Sequence, residues 1–243
     1  MSTATYPPLD TLKPIAPDLW IVDSGPLRML GMPLPVRMTV IRLSNGDVWI
    51  HSPTQYDEAL RREIEAIGPI RHLVAPNVAH WTFLIDWQQR CSGSVTWAAP
   101  NLSKRSQVRR AGLRIDRILA DEVPAEWADD LEQAVVPGGL GFREVAFFHR
   151  PTSTLVLTDL VLNLELKRVP TPMRPMLRLA GMTAPGGQAP PYLRLVIKMR
   201  RQAAAAAAER LLSLRPQRVV FAHGKWFDQD GEARLRRSLG WLL

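Results

Sequence analysis

Cysteine is nearly absent: Cys91 is the single one in 243 residues. An internal disulfide is therefore excluded, and so is a zinc site built on two or four cysteines, which leaves histidine and carboxylate to hold any metal. Histidine is scarce too, with five in the chain. No apolar run approaches the ~18 uncharged residues of a membrane-spanning helix. The opening stretch MSTATYPPLDTLKP has neither a basic nor an apolar region, so a secretory signal peptide is not expected and the chain reads as cytoplasmic. The third scarcity is local. From Leu166 to Ala208 there is no acidic residue, while Lys167, Arg168, Arg174, Arg178, Arg194, Lys198, Arg200 and Arg201 supply eight positive charges. The net charge of the whole chain is +8, so the excess sits in this one segment. One local cationic surface is expected rather than a uniformly basic nucleic-acid binder.

What is present suffices for one sizeable core, with 46% hydrophobic and 22% charged residues. Leu19 to Val22, Met38 to Leu43 and Val48 to Ile50 read as strands, the last two joined by the turn Ser44-Asn45-Gly46-Asp47. Tyr56 to Ile67 has helical spacing and stops at Gly68-Pro69. Strands follow at Ile70 to Ala75, Ser94 to Ala98 and Ile115 to Leu119, with helices at Phe83 to Gln89 and Lys104 to Ala111 between them. Leu131 to Val136, Arg143 to Phe148 and Thr154 to Leu162 then read as a meander. Six of the 21 prolines fall between Pro170 and Pro191, which argues against any long helix or strand there. A helix from Gln202 to Leu214, a strand from Arg218 to Ala222 and a helix from Ala233 to Leu243 close the chain. This count fits an α+β fold of four layers, αββα, in which two mixed sheets pack face to face. A single domain is expected, with a proline-rich basic insert at about 165–201.

Taken together, the strand ends resemble the metallo-β-lactamase superfamily in order and spacing. The segments are Val48-Trp49-Ile50-His51-Ser52-Pro53, Ala75-Pro76-Asn77-Val78-Ala79-His80-Trp81, Val136-Pro137-Gly138-Gly139, Thr154 to Leu160 and Val219-Val220-Phe221-Ala222-His223-Gly224. In that superfamily such strand ends carry an H-x-H-x-D-H loop, a P-G-H turn, a late Asp and a final His before Gly. The present chain resembles a branch lacking the full motif. With Ala75 in the place of the usual Thr, three of the four loop ligands are missing. The positions of the three first-site histidines hold Pro76, Val78 and Gly139.

The resemblance leaves a coherent subset. His80 takes the place of the motif's Asp, Asp159 that of the bridging Asp, and His223 that of the terminal His. Two imidazoles and a carboxylate are enough for one divalent ion, zinc or iron, with positions left open. A register shift of one residue would put Asn77 first and remove His80. Each residue also has a plain structural alternative: His80 bonded to backbone at a helix start, Asp159 paired with the N–H groups of a turn. His51 stands where many members have Asp, and with Asp159 it is the expected proton acceptor; a hairpin-end contact to Ser52 or Thr54 is its alternative. His72 and His149 read as structural, and Cys91 as a small buried side chain. The resemblance implies a hydrolase for a small, ester-like or phosphate-bearing substrate, with an anionic group suited to the basic insert as a lid. The alternative is a pseudoenzyme that binds a ligand or partner without catalysis. Specific nucleic-acid recognition is not expected. Self-association to a homo-oligomer and contact of the insert with an anionic membrane face stay open.

Overall fold

Strand-forming runs separated by turns build the first sheet. A computed structural model describes residues 4–29 and 31–243. Strands β1 (Lys13–Ala16), β2 (Leu19–Met29), β3 (Met32–Arg42) and β4 (Val48–His51) are antiparallel neighbours. Helices α1 (Glu58–Glu65), α2 (Leu84–Arg90) and α3 (Ser106–Ala111) then alternate with β5 (Ile70–Ala75), β6 (Val95–Ala98) and β7 (Arg117–Ile118). Each helix carries the chain back over the sheet, so β4 to β7 run parallel and complete a seven-stranded sheet. Helix α1 starts where the Asp57 side chain accepts the Leu60 N–H at 2.8 Å.

The second half supplies β8 (Leu131–Pro137), β9 (Arg143–His149), β10 (Thr154–Val156), β11 (Leu162–Asn163), α4 (Arg174–Leu179), α5 (Pro191–Lys198), α6 (Arg201–Ser213), β12 (Arg218–Val220), β13 (His223–Gly224) and α7 (Gly231–Leu239). The meander β8-β9-β10 takes β12 as a parallel neighbour of β10, and β11 pairs with β13 separately.

Period-two alternation decides the layers. On β3 and β4, Ile41 and Trp49 face the second sheet, where Val145, Phe147 and Val156 meet them, while Val40 and Ile50 face Leu60 and Ile64 of α1 and Trp87 of α2. Trp97 and Trp127 meet edge to face between the sheets at 4.5 Å, and Trp49 meets Phe147 at 4.8 Å. On the outer face of the second sheet, Ala146, Leu155 and Val219 pack under Ile197 of α5, Ala204 and Ala208 of α6, and Leu235 of α7. The result is the αββα order: helices, mixed sheet, mixed sheet, helices.

Three expectations change in detail. The strand expected from Thr154 to Leu162 ends at Val156 and resumes as β11. The cause is the buried Glu144 carboxylate, which captures the N–H groups of Thr158 (2.8 Å), Asp159 (3.0 Å) and Leu160 (3.4 Å) and so replaces ladder bonds. The strand expected from Arg218 to Ala222 ends at Val220, and β13 forms beyond it at His223–Gly224. The helix expected from Lys104 breaks at the extended Arg105 into a short 3-10 turn and α3. The proline-rich segment holds, as expected, no long helix or strand; its two helices are short, with Pro175 and Pro191 in their first turns, where no N–H is needed.

Candidate metal centre

Asp159 leaves β10 in a loop that Glu144 gathers from below. With no exposed surface, Glu144 is pushed up to about 7 by burial and by the Asp159 charge, against the pull of the backbone N–H groups it accepts. Asn77 ties this loop to the one carrying His80. Its Oδ1 accepts the N–H groups of Ala79 (2.7 Å) and His80 (3.0 Å), which shapes the turn between β5 and α2. Its Nδ2 donates to Thr158 Oγ1 (2.9 Å) and Asp159 Oδ2 (2.8 Å).

The two histidines are oriented from behind. Ser52 Oγ lies 2.6 Å from His80 Nδ1. His223 Nδ1 donates to the Pro35 carbonyl at 2.8 Å. Arg37, two residues further along β3, donates to the carbonyls of Phe221 (2.9 Å) and Gly224 (2.8 Å) and pairs with Asp23 at 2.6 Å, so β3 clamps both sides of His223. Because a carbonyl only accepts, His223 Nδ1 carries a proton, and Nε2 is the nitrogen left to face the cavity. It lies 3.4 Å from Asp159 Oδ1.

His80 Nε2 lies 3.3 Å from the same carboxylate, and one ligand atom from each of His80, Asp159 and His223 falls within 4.8 Å of the others. Metal–ligand bonds of about 2.0–2.1 Å in a tetrahedral shell put neighbouring ligand atoms about 3.3–3.4 Å apart, so the two measured separations fit such a shell. Two imidazoles and one carboxylate suit zinc or iron. Burial opposes charge on both partners, yet the outcome is set by their pairing. The Asp159 charge and hydrogen bond lift His80 above the ordinary histidine range, and His80 with His223 holds Asp159 well below the usual carboxylate range.

The three residues open into a cavity of about 400 Å³. Leu27, Leu34, Val36, Trp81 and Phe83 give it apolar walls, and Arg28, Pro190 and Tyr192 reach it from the hairpin tip and the basic segment. His51 is not among the residues lining it. That ring is buried, stacks on Trp49 at 5.5 Å and is pushed down to about 3 by burial and the His80 charge. His149 bonds Thr152 Oγ1 at 2.8 Å and His72 accepts the Trp97 indole N–H at 3.2 Å, both in buried places away from the cavity lining. Cys91 is buried and its thiol is pushed up to about 11, chiefly by burial.

Pro76, Val78 and Gly139 each have a place in the packing. Pro76 gives its carbonyl to Val145 N–H at 2.8 Å, and Val78 packs between the two outer cores. A Cβ built on Gly139 would stand 2.4 Å from Met199 Sδ, so the thioether fills that space. Sequence reasoning passed over Glu144 and considered Asn77 only as the first position of a shifted register. The signal for Glu144 was a carboxylate opening the otherwise apolar run Val145-Ala146-Phe147-Phe148.

This architecture is the metallo-β-lactamase fold. A metallo-β-lactamase from Pontibacter korlensis superposes with a TM-score of 0.65 at 15% identity, covering 95% of this chain and 97% of that one. The FIM-1 enzyme of Pseudomonas aeruginosa in its mono-zinc form gives 0.62 at 15% identity, covering 96% and 94%. A mutant flavo di-iron protein from Thermotoga maritima gives 0.60 at 14% identity, covering 94% of this chain and 60% of that one. Within this fold the chain belongs to the family described as a domain of unknown function, DUF4336, whose family model matches residues 18–179. No curated protein matches the sequence.

Proposed function

We propose that the protein is a metal-dependent hydrolase of a small ester-like or phosphate-bearing substrate, with one zinc or iron ion held by His80, Asp159 and His223. The observation that carries this reading is the convergence of one ligand atom each from His80, Asp159 and His223 within 4.8 Å, with His223 Nδ1 committed to Pro35 so that Nε2 faces Asp159. A divalent ion bound there supplies a Lewis acid for the oxygen of the scissile group. Asp159 faces the cavity and is the proposed acceptor of the proton from an attacking water. Asn77 holds the other oxygen of that carboxylate and keeps it from rotating. His51, uncharged and outside the cavity lining, is assigned to positioning behind His80. Arg28 is exposed on the cavity wall and suits an anionic substituent, whereas Arg37 is already paired with Asp23.

The test is metal content and turnover together. Near-stoichiometric zinc or iron in the purified protein, its loss in His223→Ala, and chelator-sensitive cleavage of a chromogenic ester or phosphodiester are expected. Substoichiometric metal in the parent protein ends the reading. A second reading, a non-catalytic ligand binder, is favoured by Met199 in the space beside Gly139 and by the direct pairing of His80 and His223 with Asp159. It gives no turnover and chelator-independent ligand binding in the same assays.

A further inference from the structure

The acid-free segment presents an unpartnered face of unusual chemistry. Along α5 and its C-cap, Tyr192, Leu195 and Met199 are spaced by three and four residues, which places them along one side of the helix, Met199 covering Gly139 with the part of its side chain that is not exposed. On α4, Met176 and Leu179 are three apart. These five side chains are 57–91% exposed, and Leu140 extends the patch at 86% on the turn whose Gly139 N–H donates to Val196 at 2.8 Å. They are not overspill from the core. The inner sides of the same helices are already seated, Leu177 against Leu162 and Leu164, and Leu193 with Ile197 in the outer core. Arg194 joins the two helices by donating to the Ala180 carbonyl (2.7 Å) and Gln188 Oε1 (2.6 Å).

Cations surround the apolar residues. Arg178, Lys198, Arg200 and Arg201 are exposed, and none has an acidic partner among the described residues. We propose that this face docks on an anionic lipid surface and brings the mouth of the cavity against it. Exposed aliphatic side chains gain from burial at the headgroup boundary, and unpaired cations gain from anionic headgroups; a lipid surface rewards both together. A nucleic acid rewards only the cations, and a second copy of the chain would set like charge against like. Tyr192 and Pro190 belong at once to this segment and to the cavity wall, so docking orients the opening toward the bilayer. No helix among the described residues is long and apolar enough to cross a membrane, so the contact is peripheral.

The test is co-sedimentation with vesicles and does not depend on a bound metal. Binding is expected to phosphatidylcholine vesicles carrying about 30% phosphatidylserine, little to phosphatidylcholine alone, and less at about 0.5 M salt. Leu179→Asp with Leu195→Asp should abolish it without changing the circular dichroism, because both positions are exposed. Lys198→Glu should weaken it about fivefold or more, since each cation near such a surface contributes about 1 kcal/mol. No binding to anionic vesicles, or binding that these substitutions leave unchanged, overturns the proposal. Retention on duplex DNA without vesicle binding overturns it as well, as does a dimer in solution that the double substitution dissolves without any vesicle binding.

Discussion

Asn77 is the residue on which the centre turns. It donates to Asp159 and caps the His80 turn, so it spans two loops that the sequence separates by 82 positions. Asn77→Ala strands two loop N–H groups and frees a carboxylate oxygen. The expected cost is about 1–3 kcal/mol in denaturant unfolding, with metal affinity lowered about 10–100-fold. Asn77→Asp keeps the capping oxygen but sets a second carboxylate against Asp159. It should therefore unfold more like the parent than Asn77→Ala does in the His80 turn, measured by hydrogen exchange of Ala79 and His80, yet lose any Asp159-dependent activity. Equal protection of those two amides in all three proteins would refute the capping role.

At the scale of elements, the short pair β11 and β13 decides where His223 points. Gly224 has a φ of +96°, and a Cβ there would come within 2.3 Å of the Asn163 carbonyl oxygen. The two strands approach this closely because one of them has no side chain at that point. Gly224→Ala should destabilise by about 1–3 kcal/mol and reduce metal content along with stability, whereas Gly112→Ala, at an open helix end, should cost stability alone. Metal content measured on both variants checks the contrast. Much of this level was legible in the chain: β4, β5 and the second half of β3 follow from alternating or continuous apolar runs, and α1 from its spacing and its Gly68-Pro69 stop, whereas the first half of β3 from Met32 was not read. The break after Val156 was not, because a local reading of Thr154 to Leu162 has no access to a carboxylate on a neighbouring strand. The trio of His80, Asp159 and His223 came from a resemblance between strand ends. Of the residues that orient those side chains, Pro35 lies outside the matched segments, and Ser52 and Asn77 lie within them at positions to which the adopted register gives no ligand.

For the whole molecule, the buried histidines set the response to acid. His51, His72 and His149 all have pKa values pushed down by burial. The unfolded chain takes up protons at about 6.5 while the folded one resists, so the unfolded state binds more protons and stability rises with pH. Their contribution is full above about pH 6.5 and is lost as pH falls below it, by up to about 1.4 kcal/mol per pH unit for each ring. His80 and Glu144, whose pKa values are raised, work in the opposite direction, two groups against three. Urea midpoints should therefore fall between about pH 7 and pH 5, and His149→Gln should flatten that fall; a midpoint that rises in acid would contradict the balance. The methionine beside Gly139 carries a different kind of consequence. A lone Gly139→His change would drive an imidazole against the Cβ and thioether of Met199 at the junction of two helices. A metal ligand enters that spot only together with a smaller side chain at 199, so the two positions act as one unit in any redesign of the site.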